Sequence, residues 1–154
     1  MLKFTQGDLF DSSAQALVNP VNTVGVMGAG LAKEFKLRFP LNFALYAGAC
    51  SKGLVKTGSM FITQAEGASA KWIINFPTKQ HWRDPSKLEW IRAGLTDLRR
   101  FIESNSVDSI AIPALGAGLG GLPWLAVKRE IESAFDGCSS SIFCFQPKEI
   151  TLCQ

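Results

Sequence analysis

Two short stretches, Trp72-Ile73-Ile74-Asn75-Phe76 and Ile110-Ala111-Ile112, are apolar at almost every position and run into Pro77 and Pro113. Strands with one wet face alternate apolar and polar residues, whereas strands covered on both faces do not. Such runs require a sheet with helices packed on each side. Taken with their flanks, they read as strands Trp72–Phe76 and Ser109–Pro113. Leu2–Thr5, Ala16–Asn19, Met60–Thr63 and Ile142–Phe145 have the same β-branched and aromatic character.

Segments of helical period fill the gaps. Leu88, Ile91, Leu95, Leu98 and Ile102 recur at steps of three and four, predicting a helix over about 86–105. Ser86 reads as its N-cap, with Glu89 completing a capping box. Trp124, Val127, Ile131 and Ala134 mark a second helix, with Pro123 in its first turn and Gly137 past its end. Leu31, Phe35 and Phe39 mark a third, stopped by Pro40, and a weaker fourth runs from Asn42 to about Ser51. The alternation predicts one three-layer α/β/α domain over 1–154 with a mixed or parallel six-stranded sheet. A chain of 154 residues fits one such domain, and 47% hydrophobic against 19% charged residues favours a core over disorder.

Composition also excludes several functions. No apolar run approaches the roughly 18 residues that span a bilayer. The start, Met1 to Asp8, alternates like a strand and lacks a signal peptide's apolar stretch. A soluble, cytoplasmic protein with no membrane partner is expected. Cys50, Cys138, Cys144 and Cys153 form no C-x-x-C pair and His81 stands alone, so no metal site is expected and the thiols read as reduced. The net charge of +3 is too small to mark a nucleic-acid binder. Its distribution is uneven: Lys71, Lys79, His81, Arg83 and Lys87 face one acid, Asp84, within a single segment. Such a patch either meets phosphates or is simply a solvated basic face.

Chemistry concentrates in two glycine-rich loops, Asn19 to Gly30 and Pro113 to Leu122, each leading from a strand into a helix. Ligands of open α/β sheets sit at such places. Glycines let backbone N–H groups approach an anion, and the helix N-terminus adds partial positive charge. Two such loops in one small domain suit a diphosphate between two sugars. Gly116, Gly118 and Gly121 match the dinucleotide G-x-G-x-x-G pattern. They lie near the end of the sequence rather than in a first βαβ unit, so an oxidoreductase is rejected. Neither loop ends in the Gly-Lys-Ser/Thr of a P-loop.

Gln6-Gly7-Asp8-Leu9, Ala16-Leu17-Val18-Asn19, Gly28-Ala29-Gly30-Leu31-Ala32 and Ile112-Pro113-Ala114-Leu115-Gly116-Ala117-Gly118-Leu119, in that order, resemble the macrodomain family across essentially the whole chain. Members are ADP-ribose-binding modules with a mixed, mostly parallel six-stranded sheet. Val21 to Gly28 together with Pro77-Thr78-Lys79-Gln80-His81-Trp82-Arg83 is similar to the DarG-like group, antitoxins paired with DarT-type ADP-ribosyltransferases.

The resemblance implies roles position by position. Asp8 would accept from the adenine amino group and Phe145 would pack on the adenine ring, against the plainer readings of a turn aspartate and a core aromatic. Gly28, Gly30, Gly116, Gly118 and Gly120 would wrap the diphosphate and distal ribose. Asn22 would lie beside that ribose, while Asn19 either orients the loop or touches the sugar. Leu9, Val26, Met27, Leu31, Ala114, Leu115, Ala117 and Leu119 complete the implied contact set. Lys79 matches the position of a catalytic lysine, acting at C1″ as a nucleophile or by proton transfer. In the related lysine-dependent class an aspartate follows the second loop's Gly-x-Gly-Leu, where this chain has Gly120. His81, Trp82 and Arg83 are candidates for DNA contact, and Trp82 either stacks on a base or packs on its own loop.

The implied activity is a DNA ADP-ribosyl glycohydrolase that frees thymidine in single-stranded DNA, acting against a DarT-type toxin. The competing readings are a non-catalytic ADP-ribose reader and a hydrolase of protein-linked ADP-ribose. A monomer without a cofactor, taking ADP-ribose as ligand or product, is expected. DarG-like proteins commonly carry a further toxin-binding domain, so 1–154 reads as a bare macrodomain, excised or naturally short.

Overall fold

A computed structural model describes residues 1–67 and 69–147. Cys153, one of the four expected thiols, lies outside the described residues. The elements run β1 (Leu2–Thr5), a 3-10 turn (Leu9–Asp11), β2 (Ala16–Val21), α1 (Gly30–Arg38), α2 (Pro40–Ser51), β3 (Phe61–Gln64), β4 (Trp72–Pro77), α3 (Leu88–Ser104), β5 (Ser109–Ile112), α4 (Trp124–Ala134) and β6 (Ser141–Phe145). One six-stranded sheet has the order β1-β6-β5-β2-β4-β3, and every pairing is parallel except β3 with β4. The mixed, mostly parallel sheet expected from the sequence is what forms.

Helices cover both faces, as the doubly apolar strands require. On one face Ile91, Leu95, Leu98 and Ile102 of α3 and Val127 and Ile131 of α4 bury against Val18, Ile74, Phe76, Ile110 and Ile112. On the other, Phe35 of α1 meets Leu17, Ile73 and Ala111, while Tyr46 and Ala49 of α2 join Val21 and Met27. Alternate residues of β2 therefore serve opposite cores, as a period of two dictates.

The boundaries depart from expectation in instructive ways. β2 and β4 each run past the predicted end, to Val21 and Pro77, because they pair with each other in register over six residues. The fourth helix begins at Pro40 rather than Asn42. Proline suits the first helical position because its missing N–H has no helical partner there. Pro123 is the N-cap of α4 rather than a residue of its first turn. Ser86 does not cap α3: Lys87 occupies that position, with no side-chain cap, and Ser86 is used elsewhere. No helix among the described residues is long and apolar enough to cross a membrane.

Gly94 on α3 packs directly over the Phe76 ring of β4. A Cβ added there would fall inside contact distance of Cζ and Cε1 of the fully buried Phe76 ring. Gly94→Ala gains about 1 kcal/mol of helix propensity. Overpacking a filled core costs about 1–3 kcal/mol. The expected outcome is a net loss of stability, read as a lower urea midpoint with an unchanged m-value.

Candidate functional site

The carboxyl ends of β2, β4 and β5 lie side by side, and the three loops that leave them enclose a cleft of about 740 Å3. This falls within the roughly 300–1,000 Å3 typical of small-molecule sites. Its lining includes Asn22, Val26, Gly28, Gly30 and Leu31 from the first loop and α1. Lys79 and Trp82 come from the loop after β4, and Ala114, Gly116, Gly118, Leu119 and Gly120 from the loop after β5. Twelve residues singled out from the sequence thus converge on one space. Pro20, Val21, Ala29, Ala32, Thr78 and Pro113 also line it and were missed. They are strand-end or small residues whose types carry no chemical signal.

The first loop is built around Asn22. Its Oδ1 accepts from the backbone N–H of Val24 and Val26 at 3.1 and 3.3 Å, and its Nδ2 donates to Val26 O at 2.8 Å. The Tyr46 hydroxyl, from α2, shares its one proton between Asn22 O at 2.7 Å and Asn22 Oδ1 at 2.9 Å. Gly25 turns the chain with φ +86°, passing close to Ala47 and Cys50 of α2. Burial holds the Tyr46 hydroxyl well above the usual phenol pKa, so it remains a donor. The loop then delivers Gly28 to Ala32 to the rim. Ala29 is the N-cap of α1 and offers no side-chain cap, and the first turn contains no acid. The opening N–H groups of this helix are available to an anion, with its partial positive charge behind them.

The second loop folds on itself. A Cβ on Gly120 would lie 2.5 Å from Gly116 O and 2.8 Å from Gly116 Cα, so that crossing admits only glycine. A Cβ on Gly118 would meet nothing within 4 Å, so this loop tip faces open cleft. Leu119 reaches across to Gly30, placing the two glycine loops on facing walls.

Hydrogen bonds tie the three loops together. Thr78 N–H donates to Val21 O at 2.9 Å and Thr23 N–H to Gln80 O at 3.0 Å, so Asn22 and Lys79 each lie between the same two bonds. The loop after β4 then returns to the second glycine loop through Ser86, whose N–H donates to Gly120 O at 2.9 Å and whose Oγ donates to Thr78 O. The Lys79 ammonium donates to Trp82 O at 3.0 Å. Trp82 carries the Arg83 guanidinium over its ring at 4.6 Å and has the His81 ring beside it at 5.3 Å. His81 and Arg83 themselves do not line the cleft.

Other predicted residues stand elsewhere. Asp8 accepts from Phe10 N–H at 2.9 Å and caps the 3-10 turn. Leu9 is buried, and Phe145 packs on the same cluster from β6. Thr5 and Phe145 pair across β1 and β6, which puts Phe145 near the turn that carries Asp8. Asn19 and Met27 are buried beneath the first loop, with Asn19 Nδ2 donating to Asn75 Oδ1 at 3.1 Å. Asn19 Nδ2 also lies 3.8 Å from Met27 Sδ, and neither residue lines the cleft. Leu115 is buried in the core cluster that includes α3 and α4 residues, and the partly buried Ala117 packs against it. The basic segment is also divided. Lys71 precedes β4 and Lys79 follows it, so six strand residues, about 20 Å, separate them. Only the cations after β4 belong to the cleft's end of the sheet.

Among the described residues that line the cleft, Lys79 is the one ionisable side chain. The cleft is thus walled by glycine backbone, apolar side chains and one cation.

Comparison with known proteins places the chain in a family. A family model described as Macro domain matches residues 18–131. The chain is 46% identical over 151 residues to a DNA ADP-ribosyl glycohydrolase of Thermus aquaticus, covering 97% of this chain and 42% of that protein. Its fold superposes on the macrodomain of Mycobacterium tuberculosis DarG with a TM-score of 0.92 and 45% identity, over 97% of this chain and 99% of that one. A TM-score of 0.92 at 32% identity relates it to Thermosipho africanus DarTG in complex with ADP-ribose, over 99% of this chain and 43% of that one. The chain thus spans about two fifths of the curated relative's length.

Ser86 is the test of the stitched site. Ser86→Ala leaves the buried Thr78 carbonyl without that donor, at an expected cost of about 1–3 kcal/mol. Ser51→Ala removes an exposed hydroxyl bond to Gly48 O and is expected to stay within about 0.5 kcal/mol of the parent. Urea denaturation of both variants checks the contrast.

Proposed function

The chain belongs to the macrodomain family, and from that premise we propose that it is a DNA ADP-ribosyl glycohydrolase. In this reading it removes ADP-ribose from thymidine bases of single-stranded DNA in the cytoplasm, as a monomer, and counters a DarT-type transferase. The observation that carries the proposal is the isolation of Lys79: an acid-free cleft, wide enough for a small ligand, presents one amine beside Asn22.

The diphosphate would lie between the N-terminus of α1 and the loop tip at Gly118, which offer N–H groups and no competing carboxylate. The adenosine would extend toward Asp8 and Phe145. Its adenine amino group would donate to Asp8, whose Oδ1 in this structure already accepts from Phe10 N–H. The distal ribose would then reach Asn22 and Lys79. Cleavage breaks the bond between C1″ and the base nitrogen, and water supplies the new oxygen at C1″. Positive charge develops at the sugar as that bond stretches, so the bound diphosphate and a fixed geometry both lower the barrier. Lys79 acts at C1″ as a nucleophile or by moving a proton. Trp82, 46% exposed at the rim, is the surface against which a base would rest. Arg83 stacked on it and Lys87 further along would meet the DNA backbone.

An ADP-ribosylated thymidine oligonucleotide tests the proposal. The wild-type chain is expected to release ADP-ribose, and Lys79→Ala is expected to bind the adduct while losing at least about 100-fold in rate. Borohydride treatment during turnover separates the two lysine roles: a trapped sugar–Lys79 adduct marks the nucleophilic route, and its absence marks proton transfer. Binding without release by wild type would sink the enzyme in favour of the ADP-ribose reader. Gly118→Glu, pointing a carboxylate into open cleft, is expected to fold normally and to lose ADP-ribose binding in calorimetry.

A further inference from the structure

Tyr46 is the largest fully buried side chain among the described residues, and it does not line the cleft itself. It touches Asn22 twice, at O and at Oδ1. An asparagine amide offers two donor hydrogens on nitrogen and two acceptor sites on oxygen. Around Asn22 the oxygen is saturated by the Tyr46 hydroxyl and the N–H groups of Val24 and Val26, while nitrogen spends one hydrogen on Val26 O. Reversing the amide would set its N–H groups against the backbone N–H groups of Val24 and Val26 and its oxygen against the Val26 carbonyl. One Nδ2–H remains, on a residue that lines the cleft at the level of Lys79.

We infer that Tyr46 is a positioning residue for the proposed reaction: it locks the Asn22 amide with its oxygen inward, so that the leftover Nδ2–H is presented to the distal sugar as a donor. This rests on the reading given under Proposed function for the cleft and adds a residue that never meets the substrate. The shortest of the three bonds to Oδ1 is the one from Tyr46, and its second contact fixes the backbone of the same residue. Without that hydroxyl, Oδ1 keeps only the donors at 3.1 and 3.3 Å, both within the loop that Asn22 itself organises.

The experiment pairs Tyr46→Phe with side-chain amide NMR of asparagine-labelled full chain. In wild type the Asn22 NH2 pair is expected to shift on adding ADP-ribose; in Tyr46→Phe the free pair is expected to move and exchange faster with solvent. With the ADP-ribosylated oligonucleotide, kcat is expected to fall at least about tenfold while the Kd for ADP-ribose changes less than about threefold. An Asn22 NH2 pair indifferent to ADP-ribose in wild type overturns the inference. So does a Tyr46→Phe chain with lower Tm but wild-type kcat. If wild type releases no ADP-ribose while the Asn22 pair responds and that response is lost in Tyr46→Phe, the hydrolase reading falls and the positioning role stands.

Discussion

The parallel pairing of β2 with both β4 and β5 is the constraint on which the site depends. Parallel neighbours end on the same edge of a sheet, so the loops leaving these three strands must emerge together. Each loop brings something different: the first an asparagine-centred turn and a helix N-terminus, the second a lysine, the third a bare glycine backbone. Burial of all three strands on both faces fixes their register, because a shift by one residue would exchange the two cores. Site geometry is therefore set by hydrophobic packing well beneath it.

Packing alone does not hold loops in place, and here backbone hydrogen bonds carry the precision outward. Val21 with Thr78 and Thr23 with Gln80 extend the β2–β4 pairing beyond the strands, and Ser86 closes the circuit to Gly120. Beneath them a buried amide cluster continues the theme. Asn75 exchanges bonds with Asn42, accepts from Asn19 and donates to Phe61 O, while Thr63 donates to Asn42. Polar groups buried this deeply are costly unless paired, and the cluster pairs all of them except Asn19 Oδ1. Such a cluster specifies one arrangement of α2 against β3 and β4. Since α2 carries Tyr46, it also fixes where Asn22 stands.

The sheet, its helices and the two glycine loops were legible because each rests on a local pattern: apolar runs, helical period, glycines between strand and helix. What was hidden depends on long-range partners. Ser86 followed by Glu89 satisfies the capping pattern, yet Thr78 O outcompetes the helix terminus for its hydroxyl. Asn19 and Asn22 are the same residue type three positions apart, and only the sheet decides that one is buried among amides while the other faces the cleft. Tyr46 sits in a helix with no charged residue and only a weak period, so nothing local distinguishes its hydroxyl from a core aromatic. Lys71 and Lys79 read as one basic segment because a strand's length is invisible in a count of charges.

Lys79 is the one charge among the described residues that line the cleft. Two unit charges 4 Å apart attract by about 1 kcal/mol in water but by about 4 kcal/mol at the effective dielectric of a protein surface. A ligand filling this cleft would expel water and move Lys79 toward the second regime, so binding would itself strengthen the attraction between the ammonium and the ligand's diphosphate. A carboxylate beside it would cancel that gain and repel the diphosphate. The glycine at position 120, where a related class has an aspartate, serves this arrangement twice. It keeps the loop tight against Gly116, and it leaves the cationic end of the cleft without an opposing charge.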